Sequence, residues 1–160
     1  MLIPMKKNVL FLWFVLVPLL LGAQPDLQIM RCVRDVSKDS IASYIVNLTD
    51  FHTRHNLSSH THPDKGIGAA SRWLQQKIAG WIPLSGGRLS VENIHYTAGG
   101  TGNRLDRQVE LTNVMAVLRG SGSQEILLLA HYDSRVNDNS DSTSFAPGAN
   151  DNGSGVACLL

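Results

Sequence analysis

The run Glu125-Ile-Leu-Leu-Leu-Ala-His131-Tyr-Asp133-Ser134 constrains this chain more than any other stretch. Ile126 to Ala130 is uninterrupted apolar sequence, which predicts a strand buried on both faces, and such strands lie in sheets covered by helices on each side. Polar chemistry begins where the run stops. His131 and Asp133 stand two apart, so on a continuing extended backbone their side chains leave the same face at the carboxyl end of the strand, where open α/β sheets bind ligands. Farther on, Ala146-Pro-Gly-Ala-Asn-Asp151-Asn-Gly-Ser-Gly-Val156 is dense in turn and capping residues ahead of Val-Ala-Cys-Leu-Leu. It predicts a loop entering a helix, with Asp151 at or near the positive end. One imidazole and two carboxylates gathered at one sheet edge begin a divalent-metal site. The competing reading makes His131-Tyr-Asp133 a strand end turning into a solvated loop and Asp151 an ordinary cap. The joint pattern of apolar strand, His-x-Asp, polar loop and Asn-Asp-Gly-rich helix start raises the metal reading.

At the other end, residues 1–23 read as an address. Lys6 and Lys7 precede the thirteen apolar residues Val9 to Leu21, and Leu21-Gly22-Ala23 ends in a small residue suited to cleavage before Gln24. That core is shorter than the roughly 20 residues of a membrane-spanning helix. The expectation is a signal peptide and a secreted or periplasmic protein, in contact with a membrane only for export. Removing residues 1–23 deletes two lysines and no acid, taking the formal charge from +1 to −1. No basic field for nucleic acid remains. Cys32 and Cys158 are compatible with one disulfide in an oxidising compartment, but Cys158, inside the helix expected after Asp151, reads first as a small core residue.

Residues 24–39 show no usable periodicity. Ile41, Tyr44, Ile45, Leu48 and Phe51 recur at helical spacing from Ser40 to about Thr53, with Asp39-Ser40 as the start signal. His52, His55, His60 and His62 follow, without cysteines and without structural-zinc spacing, so this segment reads as a polar connecting loop. Ala70, Trp73, Leu74, Ile78 and Trp81 mark a second amphipathic helix over 67–82. Three strands are expected after it, at 88–96, 109–118 and 125–130, separated by glycine-rich turns. Two helices, neighbouring strands and a new helix fit the opening half of an α/β sandwich. Gly153-Ser154-Gly155 is not a nucleophile elbow, Ser134 lies too close in sequence to His131 and Asp133 for a triad, and there is no Walker lysine or dinucleotide fingerprint.

His131-Tyr-Asp133-Ser134, followed by Ala146-Pro-Gly-Ala-Asn-Asp151-Asn-Gly-Ser-Gly-Val-Ala157, resembles the first two metal-binding motifs of the M28 family of zinc metallopeptidases, the bacterial secreted aminopeptidase type. The likeness covers residues 108–160 and extends more weakly back through Arg54-His-Asn-Leu-Ser58. It implies a three-layer α/β/α sandwich with a mixed central sheet, of which 24–160 would be the N-terminal part. It implies two zinc ions, with His131 a ligand of one and Asp151 the carboxylate bridging both through a residue joined to Asn152 by a cis peptide bond. Asp133 would orient His131, because an imidazole bound to metal through one nitrogen needs an acceptor for the N–H on the other. The general base, a Glu-Glu pair, a further Asp and a distal His would lie beyond residue 160. The implied activity is hydrolysis of peptide bonds in peptide or protein substrates from a free amino end, with residues 1–160 alone inactive. Two alternatives stay open: a glutaminyl-cyclase-like aminoacyltransferase, and an exported non-catalytic module of the same fold.

Overall fold

The computed structural model describes residues 26–160, and the proposed signal peptide lies outside them. The described residues before Lys38 and those from Lys38 onward belong to separate compact units. The described part of the first is helix α1, Leu27–Asp35, capped by the Asp26 carboxylate, which accepts from the backbone N–H of Gln28 at 2.7 Å. An aspartate in that place satisfies a donor that the first helical turn leaves unpaired. No residue of α1 is buried, although Leu27, Met30 and Val33 recur along it at helical spacing, a pattern that the sequence reading passed over.

The second unit contains helices α2 (Lys38–Asp50) and α3 (Gly66–Ala79), strands β1 (Leu89–Ala98) and β2 (Val109–Leu118), and a short α4 (Ser154–Leu159) entered through a wide turn at Ala149–Gly153. Both central helices appear within two or three residues of the expected bounds. β1 and β2 pair antiparallel, from Leu89 opposite Leu118 to Ala98 opposite Val109. The described residues are thus a mix of helices and a small antiparallel sheet, compatible with the α/β class.

The core gathers where the helices meet. Leu48 of α2, Leu74 of α3 and Val156 of α4 are buried together, with Phe51, Trp73, Val114, Ala130 and Tyr132 packed on them. Trp73 stands edge-on to Tyr44 and Phe51, each with ring centroids 6.3 Å apart, a geometry that sets the positive ring edge against the negative face.

Two expectations are corrected. Residues 125–130 do not form a strand: no ladder pairs with them among the described residues, and Ile126 to Leu129 are 68–88% exposed. An apolar run becomes a buried strand only when neighbouring strands satisfy its backbone and helices cover its faces. Here only Ala130, at its end, packs on the core. Cys158 is exposed rather than buried, and both cysteines are free. Within α4 the inward positions are Val156 and Ala157, and the next residue, about 100° farther round the helix, points out.

Candidate metal centre

The site is assembled where three segments are tied together just beyond α2. Thr53 bridges Ala146 in parallel, and Ala146 N–H donates to His52 O at 2.9 Å. Ser134 N–H donates to Arg54 O at 3.2 Å. The buried Ser134 hydroxyl closes the triangle: it accepts from Arg54 N–H at 2.9 Å and donates to Ala146 O at 2.6 Å.

Arg54 occupies the centre and is only 1% exposed. Its Nε donates to Tyr132 O at 2.6 Å, one Nη to Leu48 O and to Pro147 O at 2.7 Å, and the other Nη to Gly148 O at 3.0 Å. Four of the five guanidinium N–H groups therefore go to backbone carbonyls, from the last turn of α2, the His131–Asp133 segment and the approach to Asp151. Burial lowers the Arg54 pKa to about 10, with the Asp133 charge opposing the fall. It remains a cation at neutral pH. A positive charge against the final turn of α2 also complements that helix's dipole.

Held in this way, residues 131–133 alternate as extended backbone requires. Tyr132 turns toward the core, and its hydroxyl donates to Thr112 O at 2.7 Å; burial pushes its pKa up. His131 and Asp133 share the other side: Nδ1 of His131 lies 3.1 Å from Asp133 Oδ1. The second Asp133 oxygen accepts from Asn56 Nδ2 at 3.3 Å. With the Nδ1 proton given to Asp133, the lone pair of the neutral ring sits on Nε2. That nitrogen lies 3.1 Å from Asp151 Oδ1.

Asp151 reaches this position through a turn that a regular helix start would not provide. Gly148 opens it at φ +50°, Asp151 and Asn152 depart from helical angles, and the peptide bond between them is cis. A Cβ on Gly148 would stand 2.5 Å from Ser134 Cβ and 2.9 Å from an Arg54 Nη. Gly148→Ala therefore combines an unfavourable backbone region with a clash in the tied centre. It is expected to cost about 1–3 kcal/mol, read as a lower denaturant midpoint at unchanged slope.

In that tautomer the facing atoms of His131 and Asp151 are a lone pair and a carboxylate oxygen, an arrangement that a cation relieves. Their separation is close to the ~3.3 Å that two ligands at about 2.0–2.1 Å subtend at a tetrahedral ion. The pair thus fits two positions of a zinc. It does not complete one, since the described residues contain no group of three or more His, Cys, Asp or Glu side chains able to close on an ion. The histidines of the 52–62 loop are spent on the backbone: His55 Nδ1 accepts from Leu57 N–H at 3.0 Å, and His62 Nδ1 from Asp64 N–H at 3.1 Å. Sequence reasoning overlooked Arg54 and Asn56 as parts of the site; their one signal was the weak resemblance through Arg54–Ser58.

The His131–Asp151 pair lies within one matched segment. Residues 113–160 match Peptidase family M28. The chain is also 37% identical over 138 residues to a probable zinc metalloprotease of Pyricularia oryzae, covering 85% of this chain and 27% of that protein. A probable zinc metalloprotease of Leptosphaeria maculans is 39% identical over 138 residues, covering 85% and 32%. A probable leucine aminopeptidase of Arthroderma otae is 29% identical over 128 residues, covering 80% and 30%. The chain therefore spans roughly a third or less of the curated relatives it matches. No solved structure matches. The matched segment and the relatives support the likeness to M28, while its bacterial qualifier does not follow from these fungal relatives.

Proposed function

We propose that this chain supplies part of the zinc site of an M28 aminopeptidase. The observation that carries the reading is the 3.1 Å approach of His131 Nε2 to Asp151 Oδ1 inside the M28-matched segment, with Asp133 behind the ring. His131 and Asp151 would hold zinc, and Asp133 holds the imidazole in the tautomer that leaves Nε2 free for metal. Zinc held there would supply a Lewis acid for the scissile carbonyl and would lower the pKa of a coordinated water toward neutrality. Asn56 steadies Asp133, and Arg54 keeps the two ligand-bearing segments in register. The remaining ligands and a glutamate base belong to residues outside 1–160, on a sheet completed into a three-layer α/β/α sandwich. Export behind residues 1–23 puts the protein outside the cytoplasm. The names of the relatives support a zinc peptidase, and the leucine aminopeptidase among them supports the preference for a free amino end.

The test compares leucine p-nitroanilide with its N-acetylated form, using zinc-loaded full-length protein. Release from the free amine alone, abolished by a chelator and restored by zinc, is the expected result. Equal release from both substrates removes the aminopeptidase reading; release that survives chelation removes the metallopeptidase reading. Purified 24–160 is expected to release nothing.

A further inference from the structure

Beside the metal pair, the structure carries two arginines that the chemistry described so far leaves unused. A cleft of about 470 Å³ contains His131, Asp151, Gly148 and Ser134, and its wall includes Arg104 and Arg135. A smaller compartment of about 200 Å³ shares Asp133 and both arginines with that cleft and extends away from the pair toward Asn56 and Asn139. Arg104 comes from the connection between β1 and β2, and Arg135 follows Ser134 directly, so two separate segments put a guanidinium beside the same compartment.

Neither arginine is there to neutralise the site. Among the described residues, no ion pair joins Arg104 or Arg135 to Asp133 or Asp151. The Asp133 oxygens are already taken by His131 and Asn56. Arg135 is steadied by one Nη, which donates to Asn139 Oδ1 at 2.9 Å and to Val136 O at 3.4 Å, while its Nε and other Nη make no hydrogen bond among the described residues. Arg104 makes no hydrogen bond or ion pair among the described residues. Guanidinium groups present planar, charge-assisted donors that match a carboxylate in geometry and sign. The smaller compartment falls below the roughly 300–1,000 Å³ of a pocket for a drug-sized ligand. It has room for a single side chain or chain end.

We propose that Arg104 and Arg135 form a subsite for a carboxylate of the peptide substrate, next to the His131–Asp151 pair. The peptide as ligand rests on the function proposed above; the anion preference rests on the two arginines. Two carboxylates are chemically equivalent for this subsite, an acidic side chain and a free carboxyl terminus.

The experiment measures binding by calorimetry to full-length protein stripped of metal with a chelator, so that no probe is consumed. Three probes separate the sources: leucyl-glutamic acid α-amide carries only the side-chain carboxylate, leucyl-glutamine only the terminal one, and leucyl-glutamine amide neither. At least one acid-bearing probe is expected to bind 10-fold or more tightly than the amide, and the Arg104→Gln/Arg135→Gln double variant is expected to erase that difference. The acid-bearing probe that shows the preference identifies the source. Equal or absent binding of all three overturns the proposal, and so does a preference that survives the double substitution. Failure of the zinc-loaded protein to release leucine from leucyl-glutamine amide counts against the peptidase reading and leaves the binding comparison legible.

Discussion

Replacing Arg54 by methionine is expected to lower the unfolding free energy by about 3 kcal/mol. Two effects oppose each other. The buried cation, with its pKa pushed down to about 10, carries a desolvation cost of about 3 kcal/mol, which methionine relieves. Against that, the carbonyls of Leu48, Tyr132, Pro147 and Gly148 lose the guanidinium donors. A buried polar group left unpaired costs about 1–3 kcal/mol; Gly148 O keeps the N–H of Gly153, so the other three come to about 3–9 kcal/mol, about 6 in the middle of that range. The carbonyls win. Arg54→Lys keeps the charge but presents three donors from one point instead of a planar fork, so it is expected to fall between. Urea unfolding of the full-length variants measures the order wild type, lysine, methionine. A methionine variant as stable as wild type would show that the three segments hold together without the guanidinium.

The same residue shows why part of this molecule could not be read in advance. Arginine is ordinarily a surface residue, and nothing in Thr53-Arg54-His55 announces a side chain whose partners lie 78, 93 and 94 positions away. Local physics was legible. Val109–Leu118 emerges at the expected bounds because its apolar and β-branched residues sit between glycine-rich stretches. His131 and Asp133 share a side because extended backbone alternates. The convergence of Asp151 on His131 is non-local, and spacing alone left it open. The joint pattern of strand, loop and helix start raised it as an expectation, and the resemblance carried by the two motifs gave each residue its role. Ile126–Leu129 marks the opposite boundary. Apolarity states what a segment would gain by burial, while burial itself needs partners elsewhere, and the described residues bring none to it. Cys158 was misjudged for a smaller reason: it stands about 100° beyond Ala157 round the helix, enough to carry it off the inward face.

Graded substitution across the metal pair is expected to separate ligands from the residue behind them. On the proposed function, His131→Ala and Asp151→Ala each remove a donor atom from an already minimal set, so zinc affinity and kcat/KM of the full-length protein should fall below detection. Asp133→Asn leaves both donors in place. It removes the charge facing Nδ1 and offers an amide that can accept only through one oxygen, so the imidazole is held less firmly and made less basic. Loss of such a supporting acceptor typically costs about 10–100-fold in metal affinity or activity. Excess zinc should recover part of the Asp133→Asn activity, because binding is weakened while the donor set survives. It should recover none in the two alanine variants. Zinc affinity by competition with a chromophoric chelator, measured alongside leucine p-nitroanilide turnover, reads both quantities on one preparation. If His131→Ala binds zinc as the wild type does, the 3.1 Å contact between His131 and Asp151 is an ordinary polar contact and the ligands lie elsewhere. If Asp133→Asn is as damaging as His131→Ala and zinc does not restore it, Asp133 itself contacts the ion, and its bond to the ring is not its main duty.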